Sequence, residues 1–262
     1  MERRTFIQIC GATGVATALP LTAALAQSSD DQALDAAEIV RRAQAAMGGD
    51  QWLRPTSYHL HGHLLEYPDG PGEPIRHDPY DLWRIHPDTK PDGHLADGQI
   101  RVSSFVDGEP RLQIAFDGSE TYDVNGPTGE GADSPFWRTS MGFGMFRFAL
   151  DDGYSLEREP DDHVDGAPVF SVTVIDPSGG RGVFSLRKDD YRMARVAFAT
   201  PRGFHERRFD NFFTKDGISW VQPGRTRSWL NGVRAYDFIY TDFEVNEYIP
   251  IETFRISPGQ FD

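Results

Sequence analysis

The stretch from Gly224 to Phe254, GRTRSWLNGVRAYDFIYTDFEVNEYIPIETF, limits what this chain can fold into more than any other part of it. Two alternating runs flank Asn231-Gly232. Both central residues of a type I′ turn need positive φ, which Asn and Gly tolerate best, so the pair predicts a tight β-hairpin. In a regular second strand Val233, Ala235, Ile239, Phe243 and Val245 point one way, and Arg234, Tyr236, Phe238, Tyr240, Asp242 and Glu244 point the other. An aliphatic side opposite an aromatic-polar side predicts a sheet that packs on a core by one face and lines a cavity with the other. A sandwich strand buried on both faces satisfies the same pattern.

The rest of the chain extends this reading. Ser29-Asp30-Asp31-Gln32 has the spacing of a capping box; Ile39, Ala43 and Met47 follow at helical intervals, and Gly48-Gly49 supplies a stop. From Trp52 onward the period becomes two. Strands are predicted at residues 57–66, 80–86, 99–106, 111–116, 121–124, 155–158, 169–175, 182–187, 193–199, 206–213 and 218–221, with Asp/Gly/Pro turns between them. Short strands joined by short turns indicate an antiparallel meander rather than βαβ units. Residues 68–79 and 87–98, rich in Pro, Gly, Asp and His, read as long rim loops. Asp133 to Leu150, DSPFWRTSMGFGMFRFAL, reads as a helix loosened by Gly142 and Gly144, apolar nearly all round. Such a segment is either a core helix or a cover over something greasy.

The N-terminus reads as an export signal over residues 1–26: Arg3-Arg4-Thr5-Phe6-Ile7 resembles a twin-arginine motif, an apolar run follows, and Ala24-Leu25-Ala26 precedes Gln27. The run is too short and too broken to span a membrane. The single cysteine, Cys10, lies within it, so residues 27–262 form one domain with neither disulfide nor thiol chemistry. With 26 Lys and Arg against 40 Asp and Glu, the formal net charge of -14 argues against nucleic acid and against anionic lipid surfaces.

Several short motifs occur in a suggestive order: Met47-Gly48-Gly49 with Trp52, Asp190-Tyr191-Arg192, Phe209-Asp210-Asn211-Phe212, Asp216-Gly217-Ile218, and the closing Asn231-Gly232 hairpin. On these the chain resembles the LolA-like proteins, periplasmic carriers that sort outer-membrane lipoproteins, and their relatives. The resemblance implies a mainly β fold: one antiparallel meander curled into an incomplete, half β-barrel, with an N-terminal amphipathic helix and a lid-like helix over a cavity for acyl chains. The twin-arginine-like signal, the His- and Pro-rich loops and the greater length depart from the core carriers and point to a divergent relative. The expected partner is a hydrophobic ligand or lipoprotein, held by a monomer with no nucleic acid and no integral membrane span. Ligand-lining candidates are Phe136, Trp137, Met141, Phe146, Arg227, Trp229, Tyr236, Phe238 and Tyr240.

One constellation suggests different chemistry. In Tyr58-His59-Leu60-His61-Gly62-His63, the three histidines share a face of a strand. An H-x-H pair plus a third ligand from a neighbouring strand is a workable zinc geometry. His59 and His63 lie roughly 13 Å apart at strand rise, too far for one ion, so a second strand must contribute. Asp81, His86, His77 and His94 are available, and His61, His63 and His86 form the candidate metal set. His59, His61 and His63 are also the acid-base candidates of the alternative reading, a β-barrel lyase or hydrolase acting on a small apolar or aromatic molecule. A solvated polar strand face explains the same histidines without a metal. The carrier reading implies no cofactor; a divalent metal enters only through these residues. Arg225 and Arg227 beside Trp229 suit an anionic headgroup, or pairing with the abundant Asp and Glu. The carboxylates between Glu157 and Asp165 read as a solvated turn. There is no G-x-S-x-G elbow and no H-E-x-x-H.

Overall fold

The structure, a computed structural model, describes residues 34–87, 98–134, 137, 144–200 and 202–261. The chain divides into Met1–Leu34 and Asp35–Asp262, and the second unit holds all the secondary structure of the described residues. The signal segment, the Ser29–Gln32 spacing, His94, Phe136 and Met141 lie outside them.

Helix α1 spans Ala36–Ala46 and is capped by Asp35, whose carboxylate accepts the Glu38 N–H at 2.7 Å. Such a cap stabilises a helix by ~1 kcal/mol. Ile39, Val40, Ala43 and Met47 are fully buried along one face. The glycine stop is a docking point as well. Gly48, at φ +130, comes so close to the segment Ser219–Val221 that a Cβ would lie 2.7 Å from the Ser219 carbonyl oxygen. The Met47 carbonyl accepts from Val221 N–H at 3.0 Å. A short helix α2 (Asp50–Leu53) then buries Trp52.

The strands are β1 (Ser57–Glu66), β2 (Ile75–Ile85), β3 (Gln99–Val106), β4 (Glu109–Phe116), β5 (Thr121–Asp123), β6 (Gly126–Pro127), β7 (Ser155–Val164), β8 (Ala167–Ile175), β9 (Arg181–Arg187), β10 (Met193–Thr200), β11 (Gly203–Asp210), β12 (Arg225–Leu230) and β13 (Val233–Val245). They form a single antiparallel sheet in the order β6-β5-β4-β3-β2-β1-β13-β12-β11-β10-β9-β8-β7. Two meanders, β1 to β6 and β7 to β13, are thus joined where the first strand pairs with the last. The free edges β6 and β7 are consecutive in sequence and unpaired with each other, so the sheet is an unclosed, half-barrel type of arrangement. Between them the chain carries helix α3 (Gly144–Arg147).

The Asn231-Gly232 hairpin forms as read, with φ of +52 and +80 at its two turn residues. Simple alternation along β13 fails at two places. Opposite β12 the register shifts between Ser228 and Trp229, leaving Ala235 unpaired; opposite β1 it shifts between His61 and Gly62, leaving Thr241 unpaired. Each bulge moves the following residues to the other face. Arg234 therefore leaves the side of Tyr236, Phe238 and Tyr240, while Phe243 and Val245 join it. The helices pack on that same side, through Phe146 against Phe184 at 4.8 Å and against Trp52 at 6.3 Å. Core and aromatic lining share one face, which we term inner, rather than lying on opposite faces.

Three other expectations change. The loop predicted at 68–79 ends at Ile75, because β2 absorbs Asp78-Pro79 at an interruption of the β1–β2 register, a position where a strand tolerates Pro. The carboxylates from Glu157 to Asp162 belong to edge strand β7, not to a turn; Pro160 and Asp161 sit at a register shift, and Glu157, Asp161 and Asp162 pair with Arg181, Lys188 and Arg195. Charge and a bulge on an exposed edge discourage pairing with another chain. Residues 218–221 form no strand: beside an isolated bridge of Phe213 with Gln222, they dock on the end of α1.

Candidate functional site

The inner face carries a row of aromatic side chains on β13. Register sets it: Tyr236 stands opposite Glu66 and Ser228, Phe238 opposite Leu64 and Thr226, and Tyr240 opposite Gly62. Gly62 is required there, since a Cβ on it would fall 1.9 Å from the Ile239 carbonyl oxygen. Phe238 and Tyr240 stack with centroids 6.5 Å apart, Tyr236 lies 6.0 Å from Phe238, and Tyr80 of β2 closes on Phe238 at 5.3 Å and on Tyr240 at 6.2 Å. Leu64, Tyr80 and Val102 form the buried floor. Leu82, Leu112, Ile114, Tyr236, Phe238 and Tyr240 pack on it and remain only half-buried. In most sheet proteins a helix or second sheet would bury such a surface completely. The two tyrosine hydroxyls interact with each other, and burial pushes both phenols up. Arg207 of β11 lies among Tyr58, Tyr80 and Tyr240, its pKa lowered by burial.

Toward α1 the face is closed by Arg147 of α3. Its guanidinium sits 4.9 Å from the Trp52 ring and 5.1 Å from the Trp220 ring, with one nitrogen 3.4 Å from His86 Nε2. Burial lowers the Arg147 pKa to about 10 and holds His86 well below the ordinary imidazole range. Arg147 Nε is buried without a hydrogen bond. The other end carries a polar relay that sequence reading missed. Glu66 Oε2 lies 3.0 Å from His77 Nε2, and His77 Nδ1 lies 2.8 Å from Ser104 Oγ. The residues come from three strands and are far apart in sequence, so only the register exposes them. Ser104 is fully enclosed, so the relay satisfies buried polar groups and offers no accessible nucleophile.

Of the candidates drawn from sequence, Tyr236, Phe238 and Tyr240 come together on the inner face. Trp137 and Phe146 lie on it too, both buried: Trp137 against Phe116 at 5.9 Å with its Nε1 donating to Thr121 Oγ1 at 2.8 Å, and Phe146 in the helix core. Among its described residues the greasy segment thus meets the sheet at Trp137 and again around Phe146. Arg227 and Trp229 are not with them. They lie on the outer face, where Arg227 pairs with Asp165 at 2.5 Å and Asp210 at 2.7 Å, and the Trp229 ring lies under Arg208 at 4.7 Å. Arg225 pairs with Asp210 at 2.7 Å, and Arg234 with Asp237.

The histidines also divide. His59 and His61 share the outer face with Asp81, whose Oδ1 is 2.8 Å from both His59 Nε2 and His61 Nδ1. His63 has no partner in β2 and sits toward Arg76 and Asp78; burial first, then Arg76, lowers its pKa. His86 packs against Tyr58 and Arg147, on the inner side. The structure does not bring His63 or His86 to His61.

No family model and no curated protein matches this chain. Solved structures do. A LolA superfamily protein from Nitrosomonas europaea aligns with a TM-score of 0.51 at 13% identity, over 84% of this chain and 97% of that one. A domain provisionally described as an outer-membrane lipoprotein-sorting protein, from Vibrio parahaemolyticus, aligns at 0.49 and 13% identity over 83% and 94%. A DUF1329 family protein from Desulfovibrio piger aligns at 0.49 and 11% identity over 84% and 96%. The fold is LolA-like, and the chain is a divergent example of it. No helix among the described residues is long and apolar enough to cross a membrane.

Proposed function

We propose that the protein is a periplasmic carrier that binds a hydrophobic ligand, a lipid or a lipoprotein acyl chain, along the inner face of its half-barrel. The carrying observation is the half-buried row of Tyr236, Phe238 and Tyr240 with Leu82, Leu112 and Ile114, standing on an apolar floor in a sheet that is not closed. Burying such a surface contributes roughly 25 cal/mol per Å² before entropic costs, so an alkyl chain laid along it supplies most of the affinity. The few polar groups, the tyrosine hydroxyls and the cations Arg207 and Arg147, orient an anionic or carbonyl head. Export by the segment 1–26, with its arginine pair, and a monomeric state complete the reading.

An acyl probe whose fluorescence rises in apolar surroundings tests this. The parent protein should bind it saturably, and Phe238→Glu should weaken binding at least tenfold while the far-UV spectrum and melting temperature stay close to the parent's. Equal affinity in the folded variant would remove the inner face from the proposal.

A further inference from the structure

The outer face of β1 and β2 carries a group of side chains that ligand carriage does not use. His59 and His61 are two apart on β1, and Asp81 faces His61 across the β1–β2 ladder. One nitrogen from each ring and one Asp81 oxygen lie within 4.8 Å of one another. Asp81 Oδ1 is 2.8 Å from both nitrogens, so the carboxylate bridges the two imidazoles. Tetrahedral zinc with bonds near 2.0–2.1 Å separates its ligand atoms by about 3.3 Å. Opening the two 2.8 Å contacts by about half an ångström, with the two ring nitrogens, no more than 4.8 Å apart, brought to the same spacing, makes room for the ion through side-chain torsions.

The surroundings hold the ligands in place. The His59 ring is stacked on Trp83 with centroids 4.7 Å apart and planes inclined by 9°, and Arg101 lies 5.6 Å over the other ring of that stack, Trp83. While His59 Nε2 points at Asp81, its Nδ1 faces Glu244 Oε2 at 3.6 Å. A carboxylate behind a ligating imidazole fixes its tautomer and raises its basicity. Asp81 is mostly shielded, with 13% of its side chain exposed, whereas His61 is 48% exposed, which leaves an entry path. Beside His59 a cleft of ≈ 140 Å³ opens between the sheet and residues 247–253, lined by Trp83, Glu244 and Tyr248 among others. The cleft borders the Glu244 side of the His59 ring and does not reach His61 or Asp81, so the open coordination position is on the exposed side of His61.

We infer that His59, His61 and Asp81 form a binding site for a late first-row divalent cation, zinc in the first instance, with Glu244 positioning His59 and one coordination position open to solvent. Two imidazoles and a carboxylate suit zinc and its neighbours rather than magnesium or calcium, which prefer all-oxygen shells. The site differs from the sequence-derived set of His61, His63 and His86, and it lies on the face opposite the proposed ligand row, so it stands or falls independently of ligand carriage.

The test is calorimetric titration of tag-free, chelator-treated protein with zinc chloride at pH 7.5. One zinc per chain is expected. His61→Ala and Asp81→Asn should each lose at least tenfold in affinity, and Glu244→Gln roughly tenfold, the usual range for an outer partner. His63→Ala should bind like the parent. His61 is half exposed, so its variant keeps the fold, and imidazole NMR adds a readout that a structural role would not move: zinc should shift the ring resonances of His59 and His61 and leave His77 and His205 in place. Retention of the one-zinc stoichiometry and affinity in a His59→Ala/His61→Ala variant would overturn the assignment. So would equal binding of calcium at the same position, or no zinc binding by the parent.

Discussion

At the scale of single residues, the inner face is a place where polar groups are tolerated in apolar surroundings. His205 makes the point. It stands beside Phe198 at 5.7 Å, both ring nitrogens are buried without a hydrogen bond, and burial, reinforced by Arg207 and Arg202, lowers its pKa to about 4. The unfolded imidazole protonates near 6.5. The folded state therefore binds fewer protons than the unfolded one between pH 6.5 and about 4, and stability falls as pH drops through that window. Partial solvent access limits the effect to the order of 1 kcal/mol. Melting temperatures at pH 7 and pH 4.5 should show a smaller acid-induced drop for His205→Gln than for the parent. An identical drop would mean that the buried imidazole does not carry it. None of this was legible in the sequence, where His205 stands just before the strand read at 206–213, with no motif about it.

At the scale of elements, the junction of β1 with β13 matters most. It joins the two meanders, and Gly62 is where it is tightest. A methyl group there meets backbone, not a side chain that can swing away, so Gly62→Ala should destabilise by about 2–4 kcal/mol. Gly72, with nothing within 4 Å of an added Cβ and no positive φ, is the control, and Gly72→Ala should stay within about 0.5 kcal/mol of the parent. Urea unfolding of the two variants decides; similar midpoints would show that the junction can spread. The hairpin at Asn231-Gly232 was readable because its turn has a chemical requirement that few residue pairs meet. The bulges at Ala235 and Thr241 were not, because an inserted residue leaves the alternation on each side intact and changes only the phase between them. Arg227 and Trp229 were grouped with Tyr236 for that reason, and register alone separates them. Likewise the shared strand face of His59 and His61 was legible, while their proximity to Asp81 rather than His86 depended on which face each β2 residue takes.

At the scale of the whole molecule, the pattern is a division of labour between two faces of one sheet. The outer face around β11 to β13 is a lattice of ion pairs, from Arg208 and Arg227 with Asp165 to Arg225 with Asp210, which satisfies cations that the sequence offered as headgroup ligands. The inner face concentrates aromatic surface and the buried cations Arg147 and Arg207. The period of two, the hairpin and the order of short motifs made the LolA-like half-barrel legible, because a meander of consecutive hairpins has few alternatives. Pairing of the first strand with the last was not legible, as it joins residues from opposite ends of the chain. The central claim is that the inner face is occupied by a hydrophobic ligand in the cell. Native mass spectrometry of the protein purified from its producing cells in detergent-free buffer tests it directly, against the mass of the same sample denatured. A lipid-sized increment in the parent, lost in folded Phe238→Glu, is the predicted result. An increment that persists unchanged in that variant, or a parent that carries none even after incubation with periplasmic lipid extract, would contradict it.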